Sequence, residues 1–331
     1  MKVFHSVGEA QGLQGCALAL GNFDGVHLGH QALFAEAARH AAPVALTFDP
    51  HPGKVLQPEL APKLITTRAR KLELFEQYGL SAAIVQPFTR DYARTTPEAF
   101  EASILDQVGA RHLVVGSDFT YGSKRAGNVE TLKAAAAKRG AQVHIVAPVT
   151  VDGVVVSSTK VREMILEGRV AAVKRLLGRY FDLDGTVVTG KGRGRGIGFP
   201  TANVDTQNEL RPAPGVYAVR ALPLPASASP ERASARERAQ GAGQGEGRGE
   251  GGPTWLPGAA NIGVKPTFGG TEVTIEVHLL DFSGDLYGRE LRVQFLDRLR
   301  PEQRFGSVEE LTIQIKRDVE TVRTVIARAG E

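Results

Sequence analysis

The chain has 331 residues, 42% hydrophobic and 23% charged, with 40 Lys and Arg against 36 Asp and Glu for a net charge of +4. That length implies two domains at about 100–200 residues each, and the lack of an unbroken apolar run of about 18 residues excludes a transmembrane helix. A single cysteine, Cys16, excludes an intramolecular disulfide and a multi-cysteine zinc site, which fits a reducing, cytoplasmic setting.

The N-terminal stretch MKVFHSVGEAQGLQG has no apolar core and no cleavage pattern, so no secretory signal is expected. Positive charge is dense only in KGRGR, residues 191–195. Glycines, Phe199 and Pro200 surround it, which suits a small phosphorylated ligand better than a duplex. Aromatics make up 6% of the chain, too few for a base-stacking platform. We therefore expect no nucleic-acid partner and no membrane partner, and leave homo-oligomerisation open.

From residue 16 the pattern alternates. CALAL (16–20), PVALTF (43–48), AAIVQPF (82–88), HLVVGS (112–117) and VHIVAPV (143–149) read as buried strands. Helical stretches lie between them: HQALFAEAARHAA, TRARKLELFEQYG, PEAFEASILDQV and ETLKAAAAKRG. This order predicts an α/β domain with a doubly wound, Rossmann-like parallel sheet, whose ligands sit beyond the carboxyl ends of the strands. Residues 157–178 read as helices closing that domain, which we bound at 1–180. From 181 to 331 the runs FDLDGTVVTG, GVYAVRAL, AANIGV, EVTIEVHLLDF and RELRVQFL predict a six-stranded β-barrel followed by a C-terminal helix over 307–329. Residues 221–254, with 7 Ala, 7 Gly, 4 Pro and 3 Ser, read as a disordered insertion. Its formal G-x-G-x-x-G at Gly247, Gly249 and Gly252 has no strand before it and is rejected as a dinucleotide motif.

The first motif follows the first strand: GNFDGVHLGHQ, 21–31. His27 and His30 stand where a strand turns into a helix. Helix N-terminal amides favour phosphate there, and two imidazoles can donate hydrogen bonds to phosphate oxygens as charge develops. Two structural histidines at a tight turn would leave the same trace. A second piece favours chemistry: SSTKVR, 157–162, opens a later helix with Ser158, Thr159 and Arg162, a second phosphate clamp that is also an N-cap. Together the two pieces resemble the H-x-G-H nucleotidyltransferases. TFDPHP (47–52) and VGSDFTYGSKRAGN (115–128) narrow the resemblance to the FAD synthetase module of the bacterial bifunctional riboflavin kinase/FAD synthetases. The resemblance implies that Gly21, Asn22, Phe23, Asp24, Gly25, Gly29, Gly116, Asp118 and Phe119, with Ser158, Thr159 and Arg162, bind ATP. It implies that His51, Pro52 and Asn128 border the flavin. Tyr121 stands where many relatives carry Phe, a mild departure.

The second motif is GTVVTGKGRGRGIGFPTANV, 185–204. Gly185, Gly190 and Lys191 fit G-x-x-x-x-G-K, but Gly192 replaces the magnesium-binding hydroxyl and the context is β-rich, so it is no Walker loop. A glycine-rich phosphate cradle, charged by Lys191, Arg193 and Arg195, remains. Thr201 and Asn203, two apart, face one side of a strand and offer the hard oxygens Mg²⁺ prefers. Glu276 alternates with Ile275 and Val277. Either it faces a wet pocket as a general base, or it lies on the solvated outer face. Asp281 and Asp285 read as turn residues.

This run, with PGVYAV, GAANIGVKPTF, HLLDFSGDLYG and FLDRLRPE, resembles the riboflavin kinase module over nearly all of 180–330 outside the insertion. The resemblance implies ATP bound by Gly190, Lys191, Gly192, Arg195, Thr201 and Asn203, and Mg²⁺ held by Thr201 and Asn203. It makes Glu276 the base and puts Arg300 in a loop facing flavin. The expected activities are phosphorylation of riboflavin to FMN and adenylylation of FMN to FAD, with ATP as co-substrate and ADP and pyrophosphate released. TFDPHP and the C-terminal module argue against another phosphorylated acceptor, such as a pantetheine phosphate. Retention of His27, Thr201 and Glu276 argues against an inert flavin-binding regulator.

Overall fold

The structure is a computed structural model that describes residues 1–190, 196–225, 254–267 and 270–329. Lys191, Gly192, Arg193 and Arg195 lie outside the described residues, as does most of the expected insertion. Two compact units emerge: Met1–Arg162 with Arg175–Gly178, and Glu163–Lys174 with Arg179–Glu331.

The first unit is built on β1 (Lys2–Phe4), β2 (Ala17–Leu20), β3 (Pro43–Asp49), β4 (Ala82–Pro87), β5 (His112–Gly116) and β8 (Gln142–Val146). They form one sheet in the order β1-β4-β3-β2-β5-β8, and every pairing is parallel. The chain steps from β2 to one side and later returns to the other, so the switch point lies at β2. Small hairpins, β6 (Thr120–Tyr121) with β7 (Gly127–Asn128) and β9 (Thr150–Val151) with β10 (Val154–Val155), decorate it.

Both faces are covered, as a parallel sheet requires. On one face α1 (Leu28–His40) and α3 (Arg68–Gln77) lay Phe34, Ala37, Leu74 and Phe75 against Ala17, Ala19, Ala45, Ala83 and Val114. The alanines let the helices approach closely. On the other, Phe100 of α4 (Pro97–Ala102), Ile104 and Leu132 of α5 (Val129–Lys138) pack on Leu18, Leu46, Ile84 and Leu113. A short helix, α2 (Pro52–Leu56), follows β3. Helix α6 (Ser158–Leu166) begins within the first unit. Most of α7 (Val170–Leu177) falls in the second.

The second unit holds β11 (Phe181–Val188), β12 (Ala202–Asp205), β13 (Gly215–Pro223), β14 (Leu256–Thr267), β15 (Gly270–Leu279) and β16 (Glu290–Arg300). They close into a barrel in the order β11-β12-β15-β14-β13-β16, with antiparallel neighbours. Phe181, Tyr217, Ile262, Val277 and Phe295 are buried in it. Asp184 and Arg292 face each other on β11 and β16 in a buried bidentate pair, Nε–Oδ1 2.7 Å and Nη2–Oδ2 2.8 Å. Helix α8 (Val308–Ala329) lays Val322 on Ala218, Leu280 and Leu296. Residues 221–223 continue β13, with Ala221 buried and paired to Leu256, so that end of the expected insertion belongs to the barrel. Among the described residues no helix is long and apolar enough to cross a membrane.

Candidate functional sites

In the first unit the expected residues gather at the carboxyl edge of the sheet. The turn after β2 is strained: Phe23 (φ 52°) and Val26 (φ 44°) adopt left-handed backbone, which such side chains rarely accept. The turn presents His27 as N-cap of α1, its Nδ1 accepting from the His30 amide at 3.4 Å. Gly29 leaves room for that ring, since a Cβ there would stand 3.1 Å from it. His30 stacks on His27 at 3.6 Å, and Phe23 abuts it edge-on at 5.3 Å. His30 Nδ1 is buried without a hydrogen-bond partner. Burial, then the positive charge of His27 and Lys71, holds the His30 imidazole well below its ordinary pKa.

Asp24 joins the two motifs. It is buried, and its carboxylate accepts from the Ile65 and Thr66 amides at 3.0 and 3.2 Å. The same carboxylate holds Arg162 Nη2 at 2.6 Å, and its carbonyl accepts from Ser158 Oγ at 2.9 Å. Arg162 Nε donates to the Lys63 carbonyl. Asp24, expected from the resemblance at the ATP, therefore also anchors the later helix to the first turn. Thr159 is exposed at the start of α6. Asn22, exposed beside Gly21 and Gly25, offers its carbonyl to Thr47 Oγ1 at 2.9 Å.

After β3, His51 caps α2 at Pro52, its Nδ1 accepting from the Gly53 amide at 3.1 Å. Burial is the main cause that lowers its pKa; Asp24 opposes this, and Arg162, Lys71 and Lys54 add to it. Gly116 ends β5, and exposed Asp118 and half-buried Phe119, which stacks on Tyr121 at 5.7 Å, follow it. Asn128 caps α5, its Oδ1 accepting from the Glu130 and Thr131 amides.

Sequence reasoning missed Lys71. From α3 its Nζ reaches Thr47 Oγ1 at 3.1 Å and the Asn22 carbonyl at 3.4 Å. Burial pulls its pKa down, against the attraction of Asp24 and Asp49. Lys71 lies within a helix with no motif of its own, so only the fold brings it here. His27, His30, His51, Lys71 and Arg162 stand together at this edge, close enough for their charges to act on one another.

In the second unit Glu276 stands on β15, its register partners Asn203 on β12 and Asn261 on β14. Ile275 and Val277 point inward at 2% and 1% exposure, so Glu276 is on the outer face, the second of the two alternatives; it is half-buried there beside Asn203 and Asn261 rather than freely solvated, so the outer face does not exclude a base. Asn203 shares that face, and its side chain lies across Gly190, where a Cβ would collide with it. Thr201 sits one residue before β12. Asn261 and Glu302 are further polar groups here; a Cβ on Gly263 would meet both. Arg300 differs from expectation. It is the last residue of β16, not a loop residue, and Asp318 of α8 grips it through Nε at 3.1 Å and Nη2 at 2.8 Å. Asp281 (φ 54°) and Asp285 occupy turns, as read.

The FAD synthetase family matches residues 9–160, and the riboflavin kinase family matches residues 177–326. A bifunctional riboflavin kinase/FMN adenylyltransferase from Escherichia coli K12 is 36% identical, covering 96% of this chain and 95% of its own. The chain belongs to the bifunctional riboflavin kinase/FMN adenylyltransferase family. The Pseudomonas fluorescens relative is also 36% identical, over 95% of this chain and 94% of its own. A crystal structure described as a macrolide-efflux protein from Streptococcus pneumoniae superposes with TM-score 0.81 at 30% identity, covering 97% of this chain and 98% of that one. The family's two modules, FAD synthetase first and riboflavin kinase second, stand here in that order.

Proposed function

We propose that this bifunctional enzyme carries out each reaction with the residues just described, the division of activities falling near residue 180. In the N-terminal module the phosphate of FMN attacks the α-phosphorus of ATP in line, and pyrophosphate leaves. His27 and His30 donate hydrogen bonds to phosphate oxygens as charge develops, and Lys71 and Arg162 supply countercharge. Gly21, Asn22, Gly25, Gly29, Gly116, Asp118, Phe119, Ser158 and Thr159 line the ATP; His51, Pro52 and Asn128 border the flavin. The observation that carries this reading is Asp24, whose contacts to Ser158 and Arg162 tie the two motifs into one basic pocket.

In the C-terminal module Glu276 accepts the proton of the ribityl 5′-hydroxyl as it attacks the γ-phosphorus of ATP, and ADP leaves. Gly190, with Lys191, Gly192 and Arg195, cradles the phosphates. The neutral oxygens of Thr201 and Asn203, the latter seated in the space that Gly190 leaves for its side chain, fit an Mg²⁺ ion carried on ATP. Bound there, it would neutralise phosphate charge. The reading includes a cytoplasmic setting and no nucleic-acid or membrane partner. The test is incubation of the purified protein with riboflavin, ATP and Mg²⁺, with flavins resolved over time. FMN first and FAD later is the expected result. FMN alone would remove the N-terminal assignment, and no conversion by folded protein would overturn both.

A further inference from the structure

The end of α1 opposite the adenylyl-transfer site carries a second histidine cluster. Among the described residues, His40, His112 and His144 form a group whose ligand nitrogens all lie within 4.8 Å of one another. His40 is the last residue of α1, His112 opens β5, and His144 lies within β8. The strand register pairs His112 with Gln142 and Val114 with His144, so both histidines project to one face. That face is the one α1 packs on.

The geometry is close to that of a metal site. His112 Nδ1 and His144 Nε2 are 3.1 Å apart. Metal–nitrogen bonds of about 2.0–2.1 Å in a tetrahedron set their nitrogens about 3.4 Å apart. His40 stacks on His144 at 3.6 Å and lies 5.1 Å from His112. It is exposed at the end of the helix, on the side from which an ion would approach. One turn earlier, Glu36 Oε1 is 2.9 Å from His40 Nε2, the carboxylate partner that orients ligand imidazoles, and its other oxygen holds Arg39 at 2.9 Å. The C-terminal end of a helix also favours a cation.

We propose that His40, His112 and His144, supported by Glu36, bind one divalent transition-metal ion, with zinc the best fit to three imidazoles and an open fourth position. The ion would pin the end of α1 to β5 and β8. Helix α1 has 13 residues and begins beside His27, so the site lies about 20 Å from the catalytic edge.

The test is calorimetric titration of zinc chloride into untagged, metal-stripped full-length protein with Mg²⁺ in excess, because hard Mg²⁺ competes poorly for imidazole. One equivalent should bind to the wild type. His112→Ala and His144→Gln should weaken it about tenfold or more, and Glu36→Gln should weaken it less. Zinc should raise the melting temperature of the wild type but not of His112→Ala. Cobalt should give four-coordinate absorption bands that His144→Gln abolishes. His112→Ala should keep both enzyme activities without zinc, which proves it folded. No stoichiometric binding, or binding unchanged in the three variants, overturns the proposal. So does loss of the equivalent only in His27→Ala/His30→Ala, which would assign the ion to the adenylyl site.

Discussion

Single side chains at the catalytic edge have measurable consequences. Tyr121 donates its hydroxyl to buried Glu101 at 2.6 Å and meets Thr131 at 3.0 Å. The Tyr121 hydroxyl thus serves a buried carboxylate. Tyr121→Phe should lower stability by about 2 kcal/mol, read from the denaturant midpoint, because Glu101 loses its donor. His30 gives a pH signature. Its folded pKa lies below the ordinary 6.5, so the unfolded chain binds the proton more readily. Its contribution is complete above pH 6.5 and is lost as pH falls through 6.5 toward the folded value. Unfolding free energy measured from about pH 5 to pH 8 should decline on the acid side, and His30→Gln should flatten that decline. At Cys16, burial pushes the thiol up to about 11. The folded protein should resist thiol reagents at neutral pH and react only after unfolding.

Between elements, the contact of Arg300 with Asp318 joins β16 to α8. Both side chains are largely buried, at 16% and 8% exposure. Arg300→Ala would strand the carboxylate and should cost about 3 kcal/mol. A raised KM for riboflavin with unchanged stability would return Arg300 to flavin binding. The sequence could not reveal this pair, because its members lie on different elements. The strands were easier to read. CALAL and HLVVGS are apolar throughout because the parallel sheet buries both their faces. β1 escaped notice because KVF is short and mostly exposed at the sheet edge. Nothing in TFDPHP announced that His51 would cap the short helix α2. The two faces open to Glu276 could not be separated by alternation alone; the buried neighbours Ile275 and Val277 put it outside the barrel.

At the scale of the whole molecule, each unit holds its own site residues, so the activities should come apart by mutation. His27→Ala/His30→Ala should abolish FAD formation and leave FMN formation nearly intact. Glu276→Gln should slow FMN formation by about 10²–10⁴-fold and spare FAD formation from supplied FMN. Loss of both activities in either folded variant would refute independent sites. The motifs were legible because each lies in one continuous stretch at a strand end; their union through Asp24 and the arrival of Lys71 needed the fold. The hairpin of β13 and β14 carries one more lesson. Its strands are already paired at Ala221 and Leu256, where the connecting segment departs and returns. Fixed ends make a longer connection cheap, about 0.6 kcal/mol per doubling of length. The same anchoring makes this junction a natural place to cut the chain and create new termini, or to graft a reporter domain, with the barrel's strand pairing left as its own staple.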